Sequence, residues 1–291
     1  MGRKILYLFL AILAFSSFYL GIKNIISTKK EVTRVASENH FQSTTELAQK
    51  YPPPTPTSRF LTFAEMNSLY GPCAVVPTLM YHHIENLDQA KKEGHLGLAV
   101  SPENFQKQME YLKLKGYQTI KMADLINFFD SGSPLPKKSI LITFDDGYED
   151  FATNVYPLLN SLNFNATLFL PTGLADNPGY LTWDQIKNIS SNQNIYVANH
   201  TWSHKSTKAQ KDVVEKEILA ADRQLTEKNL NALKIFAYPY GEVSDIAKKT
   251  LESSGYKLAF TTRTGSILCK KLRFELPRVR PENSPLSSYG F

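Results

Sequence analysis

Ser139-Ile-Leu-Ile-Thr-Phe-Asp-Asp-Gly-Tyr-Glu-Asp150 decides how this 291-residue chain is read. Ile140 to Phe144 is a β-branched and apolar run that ends abruptly in two carboxylates and a glycine, the pattern of a buried strand surfacing into a loop. Asp145 and Asp146 therefore stand at a strand's C-terminal end. Adjacent carboxylates repel each other more strongly as a site dries, so a chain that pairs them supplies a cation or lets one take a proton. A metal ion resolves the conflict, because one Asp can ligate it while the other moves protons. The plain alternative is a solvated Asp-Gly turn, and the rest of the chain argues against it.

Outward from this stretch the pattern alternates. Further strands are expected at Ala74 to Tyr81, Ala166 to Leu170, Ile195 to Asn199, Lys234 to Tyr238, Leu258 to Thr262 and Phe274 to Val279. Helical periods lie between several of them. Ser101-Pro102 opens one with an N-cap and a first-turn proline, Phe105, Met109 and Leu112 share its face, and Gly116 closes it. Val214, Ile218, Ala221 and Leu225 line a second, and Ile246 to Ser254 forms a third that ends at Gly255. Strand and helix in alternation imply an α/β fold with a parallel sheet, open or closed into a barrel.

Polar residues collect where these strands end: His82 and His83, then His200 and His204, then Tyr240, with Arg278 late in the last run. The C-terminal strand ends of such a sheet form one rim, and sites are built there. His200-Thr-Trp-Ser-His204 spaces two imidazoles by one helical turn, so both can face one ion if the segment coils. Two His and one carboxylate from the Asp pair leave coordination positions open for water and substrate, as a hydrolytic metal requires. The same donors hold ferrous iron in oxygenases, so ligand type alone does not choose the reaction.

Residues Ile5 to Ile22 form an apolar run behind Arg3 and Lys4, long enough to cross a membrane and followed by no Ala-x-Ala site. It predicts an uncleaved anchor over residues 1–26, with a cleaved signal as the alternative and Lys23, Lys29, Lys30 and Arg34 competing for orientation. Residues 27–70 read as a polar stalk that ends in a proline-rich stretch, with a short helix near Phe60 to Tyr70; the globular domain then occupies 71–291. The expected location is the cell membrane, single-pass, with the catalytic domain outside the cytoplasm. A net charge of +6 with scattered Lys and Arg suits an anionic envelope surface and excludes a nucleic-acid reader. The two cysteines, Cys73 and Cys269, flank the domain and either pair outside the cell or remain as buried thiols.

Thr143-Phe-Asp-Asp-Gly147, His200-Thr-Trp-Ser-His204 and Tyr238-Pro-Tyr-Gly241 resemble the first three motifs of the polysaccharide deacetylases of carbohydrate esterase family 4, the NodB-like domain. The resemblance implies a distorted (β/α) barrel with fewer than eight repeats. It also implies a divalent metal, zinc first, that assists hydrolysis of N-acetyl groups on amino sugars. Carried onto this chain, it makes Asp145 the general base and Asp146, His200 and His204 the metal ligands. Two features depart from the common pattern: Ala237 fills the arginine slot of the third motif, and no histidine follows His204 to supply the late catalytic acid. Met80-Tyr-His-His-Ile84 resembles the opening motif of the permuted branch that includes the biofilm poly-N-acetylglucosamine deacetylases. On that match His82 is the acid, with His83 the fallback, and Arg278 replaces the missing arginine beside Asp145.

The implied chemistry is amide hydrolysis with Asp145 as base, the Tyr240 backbone N–H at the oxyanion and His82 as acid. The implied partner is an N-acetylated envelope or exported polysaccharide. Two other readings stay open: an O-acetyl esterase on the same fold, and a wall-binding module without catalysis. Tyr148, Tyr180, Trp183 and Trp202 are candidates for stacking on sugar rings, or are core aromatics. Glu149 and Asp150 are expected to begin the next helix, and His40 and His95 to be solvated.

Overall fold

Pro77 divides the first apolar run in two, and the division sets the architecture. In the computed structural model, which describes residues 61–291, a helix α1 (Phe63–Tyr70) precedes a short strand β1 (Cys73–Val75) and then β2 (Thr78–Tyr81). The run expected as one strand is therefore two, because proline has no N–H to give to a ladder. The helix expected near Phe60 to Tyr70 is α1, and the compact unit starts at Leu61. The apolar run at 5–22 and the stalk up to residue 60 lie outside the described residues. Among the described residues, no helix is long and apolar enough to cross a membrane.

The chain continues through β3 (His83–Ile84), α2 (Leu87–Glu93), β4 (Ala99–Val100), α3 (Pro102–Leu114), β5 (Gln118–Thr119) and α4 (Met122–Ser131) to β6 (Ser139–Phe144). After a short π-helix over Phe151–Val155 come α5 (Tyr156–Leu162), β7 (Ala166–Leu170), α6 (Trp183–Ser190), β8 (Ile195–Asn199) and α7 (Lys211–Glu227). Then follow β9 (Ile235–Ala237), α8 (Asp245–Ser253), β10 (Leu258–Thr264), β11 (Ile267–Cys269) and β12 (Leu276–Arg278). Local chemistry places the helix starts. The Ser101 hydroxyl accepts from the Asn104 N–H with Pro102 in the first turn, and the Ser244 hydroxyl accepts from the Ala247 N–H.

Strands β2, β6, β7, β8, β9, β10 and β12 pair side by side in parallel. A parallel bridge between Leu79 and Val279 brings the two edges together, with Met80 N–H donating to Val279 O and Val279 N–H to Thr78 O, both at 2.8 Å. The sheet is thus a nearly closed, distorted (β/α) barrel of seven strands. Side chains alternate across it. Ile142, Leu168 and Val197 pack with Phe105, Met109 and Ile186 of the helices, whereas Leu141, Phe169 and Ala198 pack with Phe260 and with Leu125 and Phe129 of α4. Strand β5 pairs with the start of β6, at the end opposite Asp145.

Strands β1 and β11 form a separate antiparallel ribbon, and Cys73 and Cys269, opposite each other in its register, are joined by a disulfide. The bond closes a loop with a sequence separation of 196 residues. Replacing both cysteines by serine is expected to cost at most about 5 kcal/mol on the chain-entropy account. The loss should appear as a lower midpoint in thermal unfolding, with metal uptake at 25 °C unchanged.

Candidate active site

The loop after β6 is built around residues that few others can replace. Asp146 and Gly147 take left-handed backbone conformations, φ 72° and 69°, and a Cβ on Gly147 would come within 2.5 Å of Leu170 Cδ1. The turn directs both carboxylates back over the end of the barrel. Asp145 and Asp146 are 3% and 5% exposed, so their charges need partners.

Asp145 has a full one. Arg278, completely buried at the end of β12, grips both of its oxygens, with Nη1 to Oδ1 and Nη2 to Oδ2 at 2.7 Å each. The guanidinium is itself fixed by Nε donating to Thr261 O at 2.9 Å and Nη1 to Thr143 Oγ1 at 3.2 Å. Burial works to raise the Asp145 carboxyl, but the Arg278 charge, with His200 and the Arg278 hydrogen bonds, outweighs it and holds the group below its ordinary value. His82 follows β2 and its Nε2 stands 4.0 Å from Asp145 Oδ2. Burial drives this imidazole down to about 4, against the pull of Asp145 and Asp146. His83 turns the other way, its Nδ1 2.7 Å from Asp150 Oδ2.

Asp146 faces two imidazoles. His200 Nε2 lies 3.3 Å and His204 Nε2 3.1 Å from Asp146 Oδ1, a buried oxygen with no hydrogen-bond partner. His200 Nδ1 is 2.8 Å from the carbonyl of Ala237, which can only accept. That contact puts the proton on Nδ1 and leaves the Nε2 lone pair aimed at the site. The three ligand atoms lie within 4.8 Å of one another. Two neutral nitrogens and one carboxylate oxygen converging on a buried, unsatisfied point fit a divalent cation with positions left open.

The histidines do not reach the site by a helical turn, as their spacing predicts. The segment is an irregular loop with Thr201 and His204 left-handed, φ 67° and 59°, and the Asn199 side chain accepts from the Thr201 N–H at 2.7 Å. Glu217 of α7 anchors it from behind, accepting from the Ser203 N–H and hydroxyl at 2.7 Å each. Sequence reading missed both supports. Glu217 lay within reach of it, since it falls on the apolar stripe of Val214, Ile218, Ala221 and Leu225 and is buried among them.

Tyr240 is 65% exposed, left-handed at φ 59°, and its ring centroid is 4.7 Å from that of His204. Gly241 beside it has no room for a side chain, because a Cβ would meet Thr262 Oγ1 at 2.0 Å. Tyr148 and Tyr180 lie 5.3 Å apart, and burial and then the Asp146 charge raise both phenols. Trp183 carries Lys228 over its ring at 4.3 Å, and Trp202 packs on Gly173. His95, expected in solvent, instead meets Glu85 at 2.5 Å, because the turn after α2 folds back onto β3. Asp150 does stand at the start of the π-helix that follows, and its side chain serves His83. His40 lies outside the described residues.

Comparison with known proteins bears on this geometry. Residues 132–259 match the family described as Polysaccharide deacetylase. The chain is 27% identical to the poly-beta-1,6-N-acetyl-D-glucosamine N-deacetylase of Escherichia coli (strain K12), over 71% of this chain and 36% of that protein. It thus spans about a third of the length of that curated relative. It is 23% identical to the enzyme of the same name from Staphylococcus aureus (strain NCTC 8325 / PS 47), over 62% of this chain and 67% of the relative. Among solved structures, Streptococcus pyogenes deacetylase PplD in complex with acetate superposes with a TM-score of 0.66 at 28% identity, covering 72% of this chain and 93% of that one. Barrel, motif residues and matched sequence agree in likening the chain to the polysaccharide deacetylases.

Proposed function

We propose that this chain is a metal-dependent hydrolase that removes N-acetyl groups from the amino sugars of an exported or cell-envelope polysaccharide, with poly-β-1,6-N-acetylglucosamine the first candidate. The observation that carries the reading is the pairing of an ionised Asp145, clamped by Arg278, with the donor set of Asp146, His200 and His204 beside it. The names of the E. coli and S. aureus relatives and the acetate held by the streptococcal deacetylase support the substrate class. The apolar run at residues 5–22 supports anchoring outside the cytoplasm.

Asp146, His200 and His204 would hold the cation, zinc by their nitrogen and oxygen donors, and when bound it supplies Lewis acidity toward water and the acetyl oxygen. The protein's own groups do the rest. Asp145 takes a proton from the attacking water as the new C–O bond forms on the acetyl carbon. The Tyr240 backbone N–H is proposed to steady the oxyanion. His82 is mostly neutral in the free protein, so the proton it passes on arrives with the reaction. Asp145 Oδ2, 4.0 Å from His82 Nε2, is the donor at hand. Breaking of the C–N bond, with that proton on the sugar nitrogen, then leaves free amine and acetic acid, whose remaining proton passes to the amine as acetate departs.

The test is the full-length chain loaded with zinc and given poly-β-1,6-N-acetylglucosamine, peptidoglycan strands or O-acetylated glycan. Acetate appearing with an equal amount of free amine is expected, and acetate with free hydroxyl alone would overturn the amide assignment. His82→Gln is expected to lower turnover of the polysaccharide by about 10²- to 10⁴-fold. On p-nitrophenyl acetate, whose leaving group needs no proton, the same variant should lose much less. An equal loss on both substrates would remove His82 from the acid role.

A further inference from the structure

Two imidazole nitrogens converge on a single carboxylate oxygen at Asp146, and the arrangement recurs outside that site. Glu85 Oε1 lies 2.5 Å from His95 Nε2 and 3.4 Å from His83 Nδ1. The two rings stack with centroids 4.3 Å apart and planes 16° from parallel, and Tyr148 covers the other face of His83 at 3.6 Å. Asp150 reaches His83 Nδ1 through Oδ2 at 2.7 Å, while its Oδ1 is buried with no hydrogen-bond partner, as Asp146 Oδ1 is. Glu93 Oε2 stands 3.8 Å from His95 Nε2.

The charge around these rings is lopsided. Glu85, Glu93 and Asp150 surround two histidines, and among the described ion pairs none of the three meets a lysine or arginine. The two imidazoles bring no permanent positive charge, so the three carboxylates lack a fixed counter-charge. A divalent cation would offset it, and the ligand atoms of His83, Glu85 and His95 already lie within 4.8 Å of one another. Two nitrogens with carboxylate oxygens suit zinc or cobalt better than calcium or magnesium, which take oxygen alone.

We propose that His83, Glu85 and His95 bind a second divalent transition-metal ion, distinct from the ion at Asp146, with Asp150, whose Oδ2 lies beside the same His83 nitrogen, as a further oxygen donor. The donors come from β3 and the residue after it, from the turn after α2, and from the start of the π-helix. The ion therefore fastens the α2 segment to the wall that carries His82, immediately before His83 in the chain. It touches no reacting atom, so its role is to position. The inference is independent of the substrate assignment and survives if that assignment fails.

The test uses the full-length chain, stripped with a chelator and titrated with Zn²⁺ in a calorimeter, with bound metal counted by elemental analysis. Two ions per chain are expected in the wild type, one in His95→Gln, one in His204→Gln and none in the double variant. Glu85→Gln repeats the loss through a different donor and guards against a folding defect in His95→Gln, and thermal unfolding checks both. Loading with Co²⁺ should give two sets of visible bands, one removed by each single variant. A single ion in the wild type with none in His204→Gln would overturn the proposal, as would two ions retained in both His95→Gln and Glu85→Gln.

Discussion

Asp145→Asn is expected to abolish acetate release, by about 10²- to 10⁴-fold in kcat as the proton acceptor is lost, while zinc affinity stays within a few-fold of wild type. The proposed ligands Asp146, His200 and His204 are untouched by the change, so steady-state kinetics and metal titration separate the two properties. The substitution has a second consequence, because Asn leaves the fully buried Arg278 without its counter-charge. Stranding one member of a buried pair costs about 3–5 kcal/mol, whereas replacing both by apolar groups of similar volume is often neutral. Asp145→Leu combined with Arg278→Met should thus be more stable than either single change at these positions, without activity. Turnover by Asp145→Asn within tenfold of wild type would remove Asp145 as the base.

Arg278→Met alone should be the more damaging change to the fold. It leaves a buried carboxylate in the barrel mouth with His200 and His82 as its remaining counterweights, at a cost of about 3–5 kcal/mol. In the wild type the depressed Asp145 value means that its contribution to stability is present above the ordinary carboxylate range and is lost only as pH falls through the folded value. In the variant burial raises the carboxyl, so the stability gap to wild type should be widest near neutrality and narrow on acidification. The same rise should move the acidic limb of kcat/KM to higher pH. Arg278→Lys keeps a charge but not the two-pronged grip on both oxygens, and should fall between wild type and Arg278→Met in both measures. An unshifted acidic limb in Arg278→Met would show that another group sets it.

What could be read from the chain was chemistry close together in sequence. Five-residue runs, Ile140 to Phe144 and Ile195 to Asn199, followed by acids or histidines, announced β6 and β8 and the rim beyond them, and Ser101-Pro102 announced α3. What could not be read was decided by residues far apart. The pairing of Arg278 with Asp145 was reached through the resemblance and not through spacing, because β12 returns to the barrel 133 residues later, with β10 between it and β9 in the sheet. The β1 and β11 ribbon was hidden because β1 runs on into β2 with only Pro77 to mark the break. His95 sits in a glycine-flanked turn that looks solvent-bound until α2 folds it against Glu85. The loop of His200 and His204 was legible in composition and misread in shape, since Asn199 and Glu217 draw it out of the helical turn its spacing suggests.

Strand β12 is the last strand of the barrel to leave the ribosome, and it carries the residue that neutralises Asp145. A nascent polypeptide that has completed every other strand still has an acidic pair with no guanidinium and a wall open between Leu79 and the missing Val279. The barrel mouth therefore stays incomplete, and Asp145 without its counter-charge, until β12 has docked beside β10.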